Sequence, residues 1–172
     1  MVLAPIGNYR RIRRLNYDDL NTLVCWDNDP EINRLTGRKF HENVHVDGWW
    51  EAILRDRSRI GFAIAADDGS LIGDVELEQI SWRTKEAELR IAIGDKQFWG
   101  RGFGTEAVRE VLRIAFDAMN LERIYLRVQE DNLRAIRSYG KAGFRKVARL
   151  IANGRLTGAV DLVLMEVVRD SH

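Results

Sequence analysis

Apolar residues recur along this chain with two periods, and the change from one to the other divides it into strands and helices. Alternation predicts a strand over Tyr9 to Leu15, and from about Asp18 to Trp26 the spacing of Leu20, Leu23, Val24 and Trp26 predicts a short helix with Asp18 and Asp19 in its first turn. Asp27 to Asp47 is polar and irregular. From about Asp47 the run Trp49, Trp50, Ile53 and Leu54 predicts a second helix ending by Ser58. Ile60 to Ala66 and Leu71 to Ile80 read as two antiparallel strands joined by the turn Asp67-Asp68-Gly69-Ser70. A further strand starts at Glu88 with Leu89, Ile91 and Ile93 on one face and stops at Gly94-Asp95. Val108, Val111, Leu112, Ala115 and Met119 then recur at three- and four-residue steps, as in a helix, and Arg123 to Val128 alternates again. Asn132 to Ala142 is a third amphipathic pattern, with Asn132 as N-cap, Ala135, Ile136 and Tyr139 on one face, and Gly143 placed to end it. Phe144 to Ile151 and Val160 to Val168 close the chain as strands joined through Asn153-Gly154.

The strand, helix, strand unit from Glu88 to Val128 predicts a crossover whose two strands are parallel, so the fold class is α/β with a mixed, mostly antiparallel sheet. With 172 residues, 45% of them hydrophobic, and two prolines, the chain is expected to form one domain over residues 1 to 172. Lys and Arg total 27 against 26 Asp and Glu, a net charge of +1 that gives no general attraction to nucleic acid or to an anionic membrane. The four arginines among Arg10 to Arg14 read as a solvated edge strand rather than an RNA-binding arm, because no aromatic interleaving follows. Cys25 is the single cysteine, and the N-terminus carries no long apolar run, so a reducing cytoplasm is the expected home. Cys25 itself reads as a small buried hydrophobe.

Candidate chemistry sits first in the loop after Ile93. Gly100, Gly102 and Gly104 occupy every second position directly before a helix, an arrangement that aims backbone N–H groups at one spot where the helix dipole favours phosphate. A Walker loop and a dinucleotide fingerprint are both excluded by spacing, and a tight strand-to-helix turn without ligand stays open. His41-Glu42-Asn43-Val44-His45 spells the His-Glu-x-x-His of zinc peptidases. Gly37 and Gly48 flank it and the surrounding pattern is not helical, so a loop is the expected reading and no metal is assigned. Asp74, Glu76 and Glu78 share one strand face, either a solvated surface or a wall that attracts an amine.

Trp99-Gly100-Arg101-Gly102-Phe103-Gly104 resembles the pyrophosphate-binding motif of the GNAT superfamily of N-acetyltransferases, Gln/Arg-x-x-Gly-x-Gly/Ala, with Trp99 standing where the family usually has Gln or Arg. Asn132 to Phe144 resembles a second signature of that family, Asn-x-x-Ala-x-x-x-Tyr-x-x-x-Gly-Phe. Together with Phe98-Trp99-Gly100 and Asp161 to Met165, these features are similar to the ribosomal-protein N-terminal and spermidine acetyltransferase branches. The resemblance implies acetyl-CoA as co-substrate, held by Ile91 and Ile93, by the loop of Arg101, Gly102, Phe103, Gly104 and Thr105, and by Asn132, with Lys96, Arg101 and Arg134 as candidates for the 3′-phosphate. It implies direct acetyl transfer to a primary amine, with Tyr139 as general acid. Glu88, on the strand beside the cleft, is the candidate general base, directly or through water. The implied acceptors are a polyamine, a peptide N-terminus or another small amine, and the implied assembly includes a homodimer. A coenzyme-binding module without catalysis is the alternative function, and Tyr139 counts against it.

Overall fold

The computed structural model describes residues 8–37, 46–152 and 160–170. Seven strands form one sheet: β1 (Ile12–Arg14), β2 (Ile60–Ala65), β3 (Leu71–Ser81), β4 (Glu86–Ile93), β5 (Arg123–Gln129), β6 (Arg145–Leu150) and β7 (Leu162–Val168), in the order β1-β2-β3-β4-β5-β7-β6. Every neighbouring pair is antiparallel except β4 and β5, as the crossover predicts. The helices are α1 (Asp19–Asp27), α2 (Pro30–Thr36), α3 (Val46–Arg55), α4 (Phe103–Arg113) and α5 (Leu133–Lys141), and α4 runs on into one π turn at Ile114–Ala118. The Asn153-Gly154 turn and the His41 to His45 segment lie outside the described residues.

Period-two patterning gives the sheet two unlike faces. One carries Phe62, Ile64, Val75, Leu77, Leu89, Ile124, Leu126 and Met165 against Ala107, Val108 and Val111 of α4, and this is the core. At its rim the Glu110 carboxylate accepts three backbone N–H groups, from Arg10, Arg11 and Ile12, at 3.0, 2.9 and 3.1 Å, which fastens β1 to α4.

The other face is charged, and here the reading of a solvated acidic row fails. Asp74 and Glu76 are buried, Glu76 accepting from the Arg59 guanidinium at 2.9 and 2.6 Å, while Arg59 and Arg90 flank Glu78 at 3.4 and 3.3 Å. Alternation shows that these residues share a face but not that the first third of the chain covers it. Burial, and then the neighbouring Glu76, pushes the Glu78 carboxyl above the usual carboxylate range.

Two further readings are corrected. Cys25 is exposed, because Leu20, Leu23 and Asp27 form the buried stripe of α1 and Cys25 falls between its turns. The polar stretch from Asp27 to Asp47 is not wholly irregular but contains α2, whose signals are local rather than periodic: the Asp29 side chain accepts from the Glu31 and Ile32 N–H groups, Pro30 takes the first turn, and Gly37 ends it at φ 65°. Ile32 is its one buried residue, too little to show a period. Trp26 of α1 lies so close over the end of β4 that a Cβ on Gly94 would stand 1.9 Å from its ring. Gly94 thus brings the helical layer down beside the end of β4.

Candidate active site

Pairing between β4 and β5 covers three positions, Glu86 with Arg123, Ala87 with Ile124 and Glu88 with Tyr125. Beyond them β4 stays with β3 as far as Ile93 and β5 stays with β7 as far as Gln129, so the sheet opens into a fork. The Gly94 N–H donates to the Ile72 carbonyl at 2.9 Å, which makes Ile93 and Gly73 a non-hydrogen-bonded pair. The alternation of the ladder then turns the N–H and C=O groups of Ile91 and Ile93 away from β3, toward the open side. A cleft of about 600 Å³ fills the fork, lined by both isoleucines, Gly102, Gly104, Asn132 and Tyr139.

The glycine loop closes the cleft at the N-terminus of α4. Gly100 and Gly102 have φ of 70° and 86°, and a Cβ on either would meet nothing within 4 Å. Gly102 is the N-cap, so the N–H groups of Phe103, Gly104 and Thr105 precede the first intrahelical acceptor. The Trp99 indole N–H donates to the Ile93 carbonyl at 2.7 Å, tying the loop to the end of β4. Phe103 is held from below by the Arg11 guanidinium at 4.3 Å and edge-on by Phe98 at 5.1 Å. The Thr105 and Ser138 hydroxyls are 2.7 Å apart and join α4 to α5.

At the start of α5 the Asn132 side-chain Oδ1 accepts the Ala135 N–H at 3.2 Å, so Asn132 caps its own helix as well as lining the cleft. Tyr139 is half-buried, its ring 5.9 Å from that of Phe144. Of the three phosphate candidates, Lys96 has its ammonium between Asp29 and Glu31 at 2.9 and 2.8 Å and is committed to α2. The Arg134 guanidinium stacks on Trp99 at 4.0 Å, and Arg101 lies over Phe98 and Phe103 at 5.2 and 5.6 Å, both at the loop.

Glu88 stands where the fork begins, 2% exposed, with both oxygens accepting from Arg127 at 2.9 and 2.8 Å and Oε2 also from Gln79 at 3.1 Å. Burial, and then the charges of Glu88 and Glu86, raises the proton affinity of the adjacent Tyr125 phenol. Arg90 and Arg127, and the wall of Ile32 and Leu35 from α2, also line the cleft and escaped the sequence reading. The Arg127 signal was legible, since strand alternation puts it on the Tyr125 face that meets Glu88. Leu35 and Ile32 lay in the stretch without period.

The acetyltransferase (GNAT) domain family matches residues 10–145. The chain belongs to that family. It is an acetyl-CoA-dependent N-acetyltransferase whose acceptor is a primary amine, and neither a non-catalytic module nor a zinc peptidase is favoured. The spermidine N(1)-acetyltransferase of Escherichia coli (strain K12) is 27% identical over 167 residues, covering 94% of this chain and 89% of that one. An L-amino acid N-acetyltransferase from the same organism is 30% identical over 117 residues, 67% of this chain and 70% of that one. The crystal structure of spermidine N-acetyltransferase from Vibrio cholerae in complex with CoA and spermine superposes with a TM-score of 0.81 at 26% identity, covering 91% and 94% of the two chains. The GNAT fork therefore fits its co-substrate on three features of this chain: an open cradle over Gly102, unpaired amides at the start of α4, and strand amides facing the gap.

A side chain at Gly102 would project into the open space beside the N-terminus of α4 and strain a left-handed backbone. Gly102→Val, with its fold verified by near-ultraviolet circular dichroism, is expected to weaken CoA binding at least tenfold in calorimetry. Parent-like affinity in the folded variant would contradict a phosphate seat at this loop.

Proposed function

We propose that the acetyl-CoA pyrophosphate lies on the amides of Arg101 to Thr105, that the pantetheine arm runs along Ile91 and Ile93 past Asn132, and that Glu88 and Tyr139 handle the protons of acetyl transfer to a primary amine. The observation that carries this reading is the fork itself, because it brings strand amides, a helix N-terminus, a carboxylate and a phenol around one cleft. The amine nitrogen attacks the thioester carbon, the N–C bond forms and the C–S bond breaks. The Ile93 N–H, turned toward the gap, suits the developing oxyanion. The amine gives up a proton and the departing thiolate takes one from the Tyr139 hydroxyl.

Glu88 acts in this scheme through a water. A carboxylate offers about four lone-pair sites, and the contacts to Arg127 and Gln79 use three of them, leaving one on Oε1. An amine whose pKa lies near 7.7–8.0, as at a peptide N-terminus, is roughly a tenth neutral at pH 7 and needs less help from a base than an alkyl amine of about 10.4.

The spermidine acetyltransferase relatives support a polyamine as one acceptor in this proposal, and a peptide N-terminus is another. Self-association is part of it too. All six residues of β6 are exposed at one edge of the sheet, Val147 and Leu150 among them, and a spermidine N-acetyltransferase from Vibrio cholerae is described as dodecameric. No helix among the described residues is long and apolar enough to cross a membrane, and we place the protein in the cytoplasm, beside its co-substrate.

Tyr139→Phe keeps the ring and removes the donor. General-acid assistance is commonly worth ~10² to 10⁴ in rate, so kcat is expected to fall by at least ~10² with CoA affinity unchanged, and a fall of only a fewfold where chemistry limits turnover would make Tyr139 a packing residue.

Glu88→Gln is expected to lower kcat/KM most at pH 6 to 7, where the amine is most protonated. Equal rates for parent and variant across pH 6 to 9 would remove Glu88 from the mechanism.

A further inference from the structure

The acceptor end of the cleft has a charge balance that the spermidine named by several of its relatives does not suggest, whereas the L-amino acid of another relative does. Glu88 and Tyr125 face each other where the strands part, and the next residues on the same face are Arg90 on one arm of the fork and Arg127 on the other. Each arm thus carries one guanidinium, and both line the cleft. Their side chains are 39% and 41% exposed, against 2% for Glu88. Glu88 is the one carboxylate among the described cleft-lining residues, and both its oxygens are already taken by Arg127. Arg90 is held only through Nε, 3.3 Å from a Glu78 oxygen, and its two terminal nitrogens have no hydrogen-bond partner among the described residues.

The acids behind this pair do not reverse the sign. Glu76 is 2% exposed and spends its charge on Arg59, Asp74 does not line the cleft, and Glu78 touches the cleft only through Arg90. A polycation entering here would bring two or more ammonium groups toward Arg90 and a Glu88 carboxylate already paired with Arg127, at a desolvation cost that nothing in the described lining offsets. An amine carrying a carboxylate meets the opposite situation. The free edge of a guanidinium donates two parallel N–H bonds to a carboxylate, which fixes the amine at a set distance from the anchor.

We propose that the acceptor of this enzyme is a small amine bearing a carboxylate within a few bonds of its nitrogen, of the amino acid class, with Arg90 as the anchor that reads the carboxylate. The inference rests on the acetyl-transfer reading above. It assigns Arg90 to specificity, not to the chemical step, whose atoms and protons move as already described. Ile32 and Leu35 then face the remainder of the acceptor, an apolar wall that suits a side chain better than a second ammonium group.

The test compares acceptors that differ only in the anchor. Acetylation is measured with a panel of L-amino acids, the matching amino acid amides, and spermidine, while CoA binding is measured separately by calorimetry. The free acids are expected to exceed their amides and spermidine at least tenfold in kcat/KM. Arg90→Gln is expected to bring the acid-to-amide ratio to within about threefold of one, chiefly through KM, with the CoA dissociation constant unchanged, and Arg90→Lys to restore part of the ratio. Spermidine or the amides acetylated as well as the acids would overturn the carboxylate anchor while leaving acetyl transfer standing. A parent-like ratio in a folded Arg90→Gln would do the same. Failure to bind CoA and to acetylate any amine would overturn the acetyl-transfer reading and this inference together.

Discussion

Parallel pairing between β4 and β5 stops after Glu88 and Tyr125 although both strands continue, and the rest of the molecule is arranged around that interruption. A continuous sheet would spend the edge amides of β4 on β5. An open one leaves them facing a gap, where unsatisfied backbone groups are tolerated only if water or a ligand reaches them. The gap is held open from both ends. Trp99 pins the glycine loop to the Ile93 carbonyl at one end, and the Glu88–Arg127 pair closes the crotch at the other. Helix α4 follows the loop directly, so its dipole points its positive end into the same space.

The two sheet faces divide the labour. The apolar face against α4 supplies the favourable burial, from residues such as Phe62, Leu77, Ile124 and Val111. The charged face is a series of arginine–glutamate pairs: Arg59 with Glu76, Arg127 with Glu88, and Arg123 with both Glu86 and Glu166. Pairs of this kind gain little net stability, because desolvation offsets much of the attraction. They do fix side-chain positions, and the Arg127–Glu88 pair fixes two that line the cleft. Arg123, hydrogen-bonded first of all to Glu166, holds that carboxyl below its usual range, so this group stays ionised as the pH falls into the carboxylate region.

Most of the fold was legible in the sequence because its signals are periodic. The strands from Ile60 onward and helices α4 and α5 follow apolar repeats of two or three to four, and the crossover rule then supplied the one parallel pair. The glycine triplet and the Asn132 to Phe144 segment were readable because each residue type does a local job: left-handed backbone at Gly100 and Gly102, a cap at Asn132. What escaped was what depends on distant parts of the chain. Helix α2 has one buried residue and no period, the burial of Glu76 requires knowing what covers the sheet, and Arg90 and Arg127 line one cleft only because two strands 37 residues apart in register part beside each other. Lys96 illustrates the same limit, since its partners Asp29 and Glu31 come from that unreadable helix.

If the fork is the coenzyme seat, ligand must cover the amides that the fold leaves unpaired there. Residue-resolved hydrogen exchange with and without CoA reads this directly. The account requires slowed exchange at Phe103, Gly104 and Thr105 and at Ile91 and Ile93, with the β1 to β3 edge unchanged. Saturating CoA that leaves those five amides unprotected and slows exchange elsewhere would contradict it.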